Sequence, residues 1–402
     1  MSIDAGTRLA FKRFVHGVFL AALHFERRFD PFFRPAWDAV FREPSAAILQ
    51  WLIGLSRRDD GLGLAQEKPL PGEAEYLDSI IIDMGTYMRT HWTPGNYQRA
   101  GNTKTHGVVR AEFVVNGDLP ERLKKGIFAE PRTYKAYVRF SGPGPDWPAD
   151  VDDVGFMSCT VKLMGVAGPK IFDDERYTQD FLSVTTPTFV TPDVSCNAQL
   201  QRELRDSTEF FYFCNLTRPH LLDALMQGLW NKTQSSPLEA QYWSCTPYLL
   251  GEGQAMHYSI RSTLRTHSRI PRLPLRPPDN YLRDAMVRTL ANQAVDLDFL
   301  IQVQTDAHRM PIENAAVRWP SRLSPYVKAA TIHIPMQRFD SPEQLAFANV
   351  LRYSPWHCIP DHRPLGNQNR VRWRMYTELA NLRQLMNDVS HYEPTGDEIF
   401  NS

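Results

Sequence analysis

The 402-residue chain balances 45 basic against 45 acidic side chains, which argues against a nucleic-acid partner, because phosphate binding leaves a basic excess. At 43% hydrophobic and 22% charged, it reads as a globular chain able to bury a sizeable core. Its five cysteines are odd in number and lack CxxC spacing, which argues against a disulfide framework or a zinc site and fits a reducing cytoplasm.

Residues 8 to 57 have helical spacing, with breaks expected around Pro31, Pro35 and Pro44. Within them "FVHGVFLAAL" follows Lys12 and Arg13. That run is shorter than the ~20 residues needed to cross a bilayer. No small-x-small cleavage site follows it, so it is read as an amphipathic arm rather than a secretion signal. Such an arm docks on its own domain, on a partner subunit or on a membrane surface, and residues 1–60 are the candidate for peripheral membrane contact. The polar stretch "SRRDDGLGLAQEKPLPGEAEY" then reads as a linker, and one more helix is expected from about 76 to 101.

The pattern then changes to period two. "HGVVRAEFVV", "YKAYVRFS", "FMSCTVKLMGV", "AMHYSIRS", "DFLIQVQTD" and "KAATIHIPM" are β-rich and largely alternating, with turn residues between them. No regular series of helices interleaves them, which disfavours a doubly wound parallel sheet and suits an antiparallel barrel or sandwich. Helical inserts are expected at "QLQRELRDSTEFFYF", "RPHLLDALMQGLW" and "YLRDAMVRTLANQAV". "RIPRLPLRPPDNY" is read as an ordered crossing loop. From residue 342 the chain turns helical again. The fold class is α+β, an antiparallel barrel with helical insertions, an N-terminal helical arm and C-terminal helices.

The last helical stretch, "RVRWRMYTELANLR", puts Arg372, Tyr376 and Arg383 on one helical stripe. A free phenol titrates near pH ~10, and a cation one turn away favours its phenolate without losing its own charge. A phenolate is a hard-anion ligand for ferric iron, and haem held by tyrosine is a known arrangement. His106 begins a β run beside a glycine. At neutral pH an imidazole there can take a proton from a hydroperoxide and return it to the departing oxygen.

The segment "EQLAFANVLRYSPWHCIPDHRPLGNQNRVRWRMYTELANLR" resembles the haem-ligand segment of the catalase-like haem protein superfamily. Its "SPWH…DHRPLG…NR" form is similar to the small catalase-related peroxidases and allene oxide synthases. The resemblance implies Tyr376 as the ligand of ferric iron in haem b, Arg372 as its supporting arginine and Arg383 as a propionate contact. "THGVVRAEFVV" resembles the strand of the distal histidine, here His106. In "YVRFSGPGPDWPADVDDVGFMSCTVKLMG", Arg139 matches a propionate-binding arginine, and Ser141 matches a serine that hydrogen-bonds near the distal histidine. "SVTTPTFV" matches the segment that sets an aromatic ring beside the haem, here Phe189, and "YLLGEGQAMHYSIRS" matches a further barrel strand. The resemblance spans roughly residues 78 to 390. It implies a division into residues 1–75, arm and linker, and 76–402, haem-binding domain.

The departures from the family pattern bear on substrate. Val184 and Thr185 stand where true catalases carry a distal asparagine, Thr105 replaces the usual valine before the histidine, and Thr103 replaces an arginine. Arg99 and Lys104 are the candidates for that lost propionate contact. A threonine hydroxyl at 105 can bond the imidazole or a bound oxygen, which adds Thr105 and Ser141 to His106 as candidate catalytic residues. These differences point to a larger hydroperoxide, such as a fatty-acid hydroperoxide, cleaved in a homo-oligomer as a peroxidase or a hydroperoxide isomerase. The alternatives are a catalase acting on hydrogen peroxide, a haem carrier or sensor with little turnover, and a lipid-binding barrel without haem.

Overall fold

The computed structural model describes residues 4–57, 60–142, 144–215 and 217–400. The chain opens with α1 (Ala5–Trp37), a wide π-helical turn at Asp38–Arg42, α2 (Glu43–Ser56) and α3 (Glu73–His91). The strands and helices β1 (Thr105–Val115), β2 (Thr133–Ser141), β3 (Ser158–Met164), β4 (Thr178–Val184), α4 (Val194–Arg205), α5 (Phe210–Phe213) and α6 (Leu221–Gly228) follow. Next come β5 (Gln241–Trp243), β6 (Tyr248–Leu249), β7 (Ala255–Ser262), α7 (Tyr281–Leu290), β8 (Val295–Val303) and β9 (Val327–Ile334). The chain ends with α8 (Pro342–Val350) and α9 (Asn367–Met386).

The sheet runs β5-β4-β3-β2-β1-β9-β8-β7-β6, every pair antiparallel, and β5 also pairs with β7. That contact closes eight strands into a barrel and leaves β6 as an outer flap. Along β1 the side chains of Val109, Ala111, Phe113 and Val115 are buried, while Arg110, Glu112 and Val114 between them are exposed. This is the alternation that fixes register wherever one face is buried. Inside, Phe113 and Phe181 meet Phe299 edge-on at 5.2 and 4.9 Å, and Phe181 meets Tyr258 at 5.2 Å. Each such ring contributes roughly 1.5–3 kcal/mol by leaving water, so the barrel is a packed core rather than a pore.

Three local expectations change. Pro31 and Pro35 do not break α1, which runs through both and passes into a wide π-helical turn at Asp38–Arg42. Pro44 does not break the chain either: the π-helical turn passes directly into α2, with Pro44 in its first turn. The helix expected to reach residue 101 stops at His91, because Trp92 is extended and Pro94 disfavours helical backbone at Thr93. Strand β4, TQDFLSV, is not among the expected strands, because Thr178, Gln179, Asp180 and Ser183 are polar although the strand is buried along nearly its whole length.

Residues 60–72, before α3, are irregular but pinned. Glu67, Glu73 and Glu313 all grip Arg370 at 2.8 Å, and Glu67 also accepts from the Gly366 N–H. Gly366 has φ +85°, and a Cβ there would lie 2.4 Å from the Ile312 carbonyl oxygen. Only glycine therefore lets α9 start this close to the loop before it.

Candidate functional site

His106 is placed by a β-bulge. Thr105 pairs with Ser141 and Gly107 with Phe140, so His106 is the extra residue between them. Gly107 is needed for the close approach, since a Cβ there would stand 2.4 Å from the Phe339 ring. Arg283 on α7 clamps the bulge from behind, donating to the His106 carbonyl at 2.9 Å and the Thr105 carbonyl at 2.7 Å. The imidazole is buried, and its Nε2 has no hydrogen-bond partner among the described residues. Burial and the charges of Lys104, Arg283 and Arg139 push its pKa well below the usual value, so it is neutral at pH 7. Asp150 lies 3.8 Å from Nδ1, too far for a hydrogen bond, and is held by Lys104 at 2.8 Å.

Arg139, on β2, donates to Thr105 Oγ1 at 2.8 Å and to Ser141 Oγ at 2.8 Å. Ser141 also pairs with Ser158 at 2.6 Å. Thr105 and Ser141 thus orient Arg139, and neither hydroxyl bonds the imidazole. Of the two candidates for the lost propionate contact, the structure separates one from the other. Lys104 turns away to Asp150 and to the carbonyls of Pro148 and Asp279. Arg99 turns inward, anchored on the Ala348 and Leu351 carbonyls at 3.0 and 2.6 Å.

Arg383, two turns beyond Tyr376 on α9, bonds the same Leu351 carbonyl at 3.2 Å, and its Nη1 is unpartnered. Burial and the charges of Arg99, Arg139 and Arg352 all work against its positive charge; burial and Arg99 do the same to Arg139. Arg99, Arg139 and Arg383 therefore form one buried cluster, and among the described residues no carboxylate pairs with any of them. The Tyr353 hydroxyl beside them is also unpartnered.

Farther up α9, Arg372 donates to Tyr376 Oη at 3.3 Å and to Asn369 at 3.1 Å, with Phe189 at 5.7 Å from its guanidinium. Burial opposes its charge, but Tyr376, Tyr248 and Tyr258 outweigh this and raise its pKa. Arg372, Arg99 and Tyr353 are half-buried. Val184 and Phe189 share an apolar cluster beside them, and neither Val184 nor Thr185 supplies an amide.

The group to test against this arrangement is a haem, a flat iron porphyrin with two carboxylates. The residues fit it on three counts. Three buried guanidinium groups lack a counter-anion, which is strongly unfavourable unless an anion joins them. A tyrosine oxygen is held beside a fourth buried arginine. A neutral imidazole nitrogen is buried without a partner. Sequence reasoning missed Arg283, Asp150 and Tyr353: Asp150 and Tyr353 lie within the quoted segments and Arg283 in a helical insert, but nothing in the sequence says which side chains they meet, and only folding brings them to the site.

No protein-family model matches the chain, and no curated protein matches it. Solved structures do. A fungal catalase aligns with a TM-score of 0.57 at 14% identity, covering 86% of this chain and 70% of that one. Catalase A from Saccharomyces cerevisiae gives 0.57 at 14%, covering 86% and 73%. A bacterial catalase gives 0.55 at 13%, covering 85% and 70%. The chain has the catalase-like fold.

Proposed function

We propose that the protein is a haem enzyme that cleaves the O–O bond of hydroperoxides, preferring organic and fatty-acid hydroperoxides over hydrogen peroxide. The observation that carries this reading is the buried trio Arg99, Arg139 and Arg383, unneutralised and sharing α9 with the Arg372–Tyr376 pair. Residues 76–402 form the haem domain in this reading and residues 1–75 the arm and linker, in a cytoplasmic homo-oligomer. Tyr376 Oη ligates the iron, and Arg372 balances the phenolate charge. Arg383 and Arg139, with Arg99, receive the propionates, and Phe189 flanks the ring. Bound there, haem supplies an electrophilic iron and the redox capacity for O–O cleavage.

His106 Nε2 accepts the hydroperoxide proton and delivers it to the departing oxygen; burial keeps it neutral and ready. Thr105 and Ser141 act by holding Arg139. Hydrogen peroxide gains no amide at Val184 or Thr185 to polarise it, whereas an acyl chain gains an apolar flank from Val184 and Phe189. The competing reading, a catalase acting on hydrogen peroxide, draws on the names of the fold neighbours.

Reconstitution with haem should give a Soret band that Tyr376→Phe loses. His106→Gln should keep the band and lower turnover roughly 10²–10⁴-fold. Mixing the ferric protein with a lipid hydroperoxide, then with hydrogen peroxide, separates the readings. Alcohol, epoxide or short aldehyde products support the first, whereas vigorous oxygen release with no lipid turnover establishes the second.

A further inference from the structure

Helix α1 is amphipathic the wrong way round for a solvent-facing arm. Its charged side faces the protein. Lys12 meets Glu203 at 2.7 Å, Arg28 meets Asp152 at 2.9 Å, Asp30 accepts from the Thr233 N–H at 2.7 Å, and Asp38 meets Lys232 at 3.1 Å. From Phe14 to Phe41 every exposed residue is Phe, Val, Ala, Gly or Pro. Phe25 is 68% exposed, Phe32 66% and Phe14 69%. At about 1.5 Å per residue the apolar stripe is ~40 Å long, and Ile48, Trp51 and Leu55 continue it on α2. A stripe of this size needs a cover.

The neighbouring loop tells which cover. Arg28 donates to the Leu275 carbonyl at 3.4 Å, which brings the segment 265–276 against α1. Leu275 is 87% exposed, and Arg265, Arg269, Arg272 and Arg276 around it are exposed with no ion-pair partner among the described residues. Protein interfaces combine an apolar centre with about one hydrogen bond per 100–200 Å². From Phe14 to Phe41 the exposed side chains of this stripe offer no donor or acceptor, and of its α2 residues Ile48, Trp51 and Leu55 only Trp51 adds one, its indole N–H. Apolar rings beside an unpaired basic fringe match an anionic lipid surface instead, where the rings enter the acyl boundary and the arginines meet headgroups. No helix among the described residues is long and apolar enough to cross a membrane, so the arm lies in the interface plane.

We propose that the outward face of α1 and α2, with the Arg265–Arg276 loop, seats the protein on an anionic lipid bilayer. The same arm reaches the site: Trp37, Ala46 and Leu49 share an apolar cluster with Val184 and Phe189. Resting on the hydroperoxide reading above, this contact sets the docked arm against the apolar flank of the haem pocket.

The test is flotation of the full chain with phosphatidylcholine vesicles, with and without phosphatidylglycerol. Wild type should float with the anionic vesicles and release in high salt. Phe25→Ser/Phe29→Ser/Phe32→Ser should weaken binding about a hundredfold or more, with circular dichroism unchanged. Arg269→Glu/Arg272→Glu/Arg276→Glu should abolish the preference for phosphatidylglycerol and leave the helix content intact. Tyr376→Phe should float like wild type, so loss of the haem reading would leave the docking result standing. Failure of wild type to float overturns the proposal. So does a stable dimer that the phenylalanine variant converts to monomer while vesicle binding is unaffected, which would make the face a contact between two copies.

Discussion

Tyr353 stands between two buried charge clusters, with Lys162 at 5.4 Å and Arg99 at 5.9 Å from its ring. On one side Lys162 contacts Glu175 and lies 2.8 Å from Asp180, while His357 meets Glu175 at 3.1 Å and Asp174 at 3.0 Å. Glu175, Asp180 and His357 are close enough to ligate a metal, but the Lys162 ammonium contacts both carboxylates, so the group balances itself. On the other side Arg99, Arg139 and Arg383 repel one another, and among the described residues no carboxylate pairs with them. Lys162, Glu175 and Asp180 are buried, as are Arg139 and Arg383, with Arg99 half-buried beside them; what differs is the charge balance. A cluster that closes on itself serves the fold, whereas a cluster left open marks where a ligand's charge belongs.

Removing the cation from the closed cluster breaks the comparison hardest. Lys162→Met should lower stability by about 3–5 kcal/mol in chemical denaturation, because two buried carboxylates lose their partner. Opening the other cluster should act oppositely. Arg383→Met should leave the haem-free fold as stable or more so, while haem affinity in a titration falls roughly 10–100-fold with the loss of a charge-assisted hydrogen bond. A loss of haem-free stability as large as that of Lys162→Met would erase the distinction.

The two histidines sharpen it through pH. Burial opposes charge on His357, but Glu175, Asp174 and Asp180 outweigh it and hold its pKa well above the usual value. Its contribution is full below pH ~6.5 and lost as pH rises through the raised value. His106 is shifted the other way. The unfolded chain takes up a proton below pH ~6.5 that the folded site refuses, so its contribution is present above that pH and fades on acidification. Each changes stability by at most about 1.4 kcal/mol per pH unit. Relative to His106→Gln, wild type should lose stability faster from pH 7 to 5; relative to His357→Gln, wild type should lose its advantage toward alkaline pH. Parallel denaturation curves for all three proteins would contradict both assignments.

The sequence by itself determined the repeat-driven parts. Helical periodicity alone puts Arg372, Tyr376 and Arg383 on one stripe of α9, since spacings of four and seven residues share a face whatever surrounds them. The β-rich, largely alternating runs located β1, β2, β3, β7, β8 and β9, including β3, which is buried along its whole length, and missed β4, whose Thr178, Gln179 and Asp180 are polar. The tertiary structure decided everything that depends on distance through space. It chose Arg99 over Lys104 for the arginine cluster and committed Thr105 and Ser141 to Arg139. It inserted His106 as a bulge against Phe339, and it turned the phenylalanines of α1 outward by zipping the opposite face to the body. A side chain's chemistry is written in the chain, but partners such as Thr105 and Arg139, 34 positions apart, or Glu67 and Gly366, 299 apart, meet only when the barrel closes.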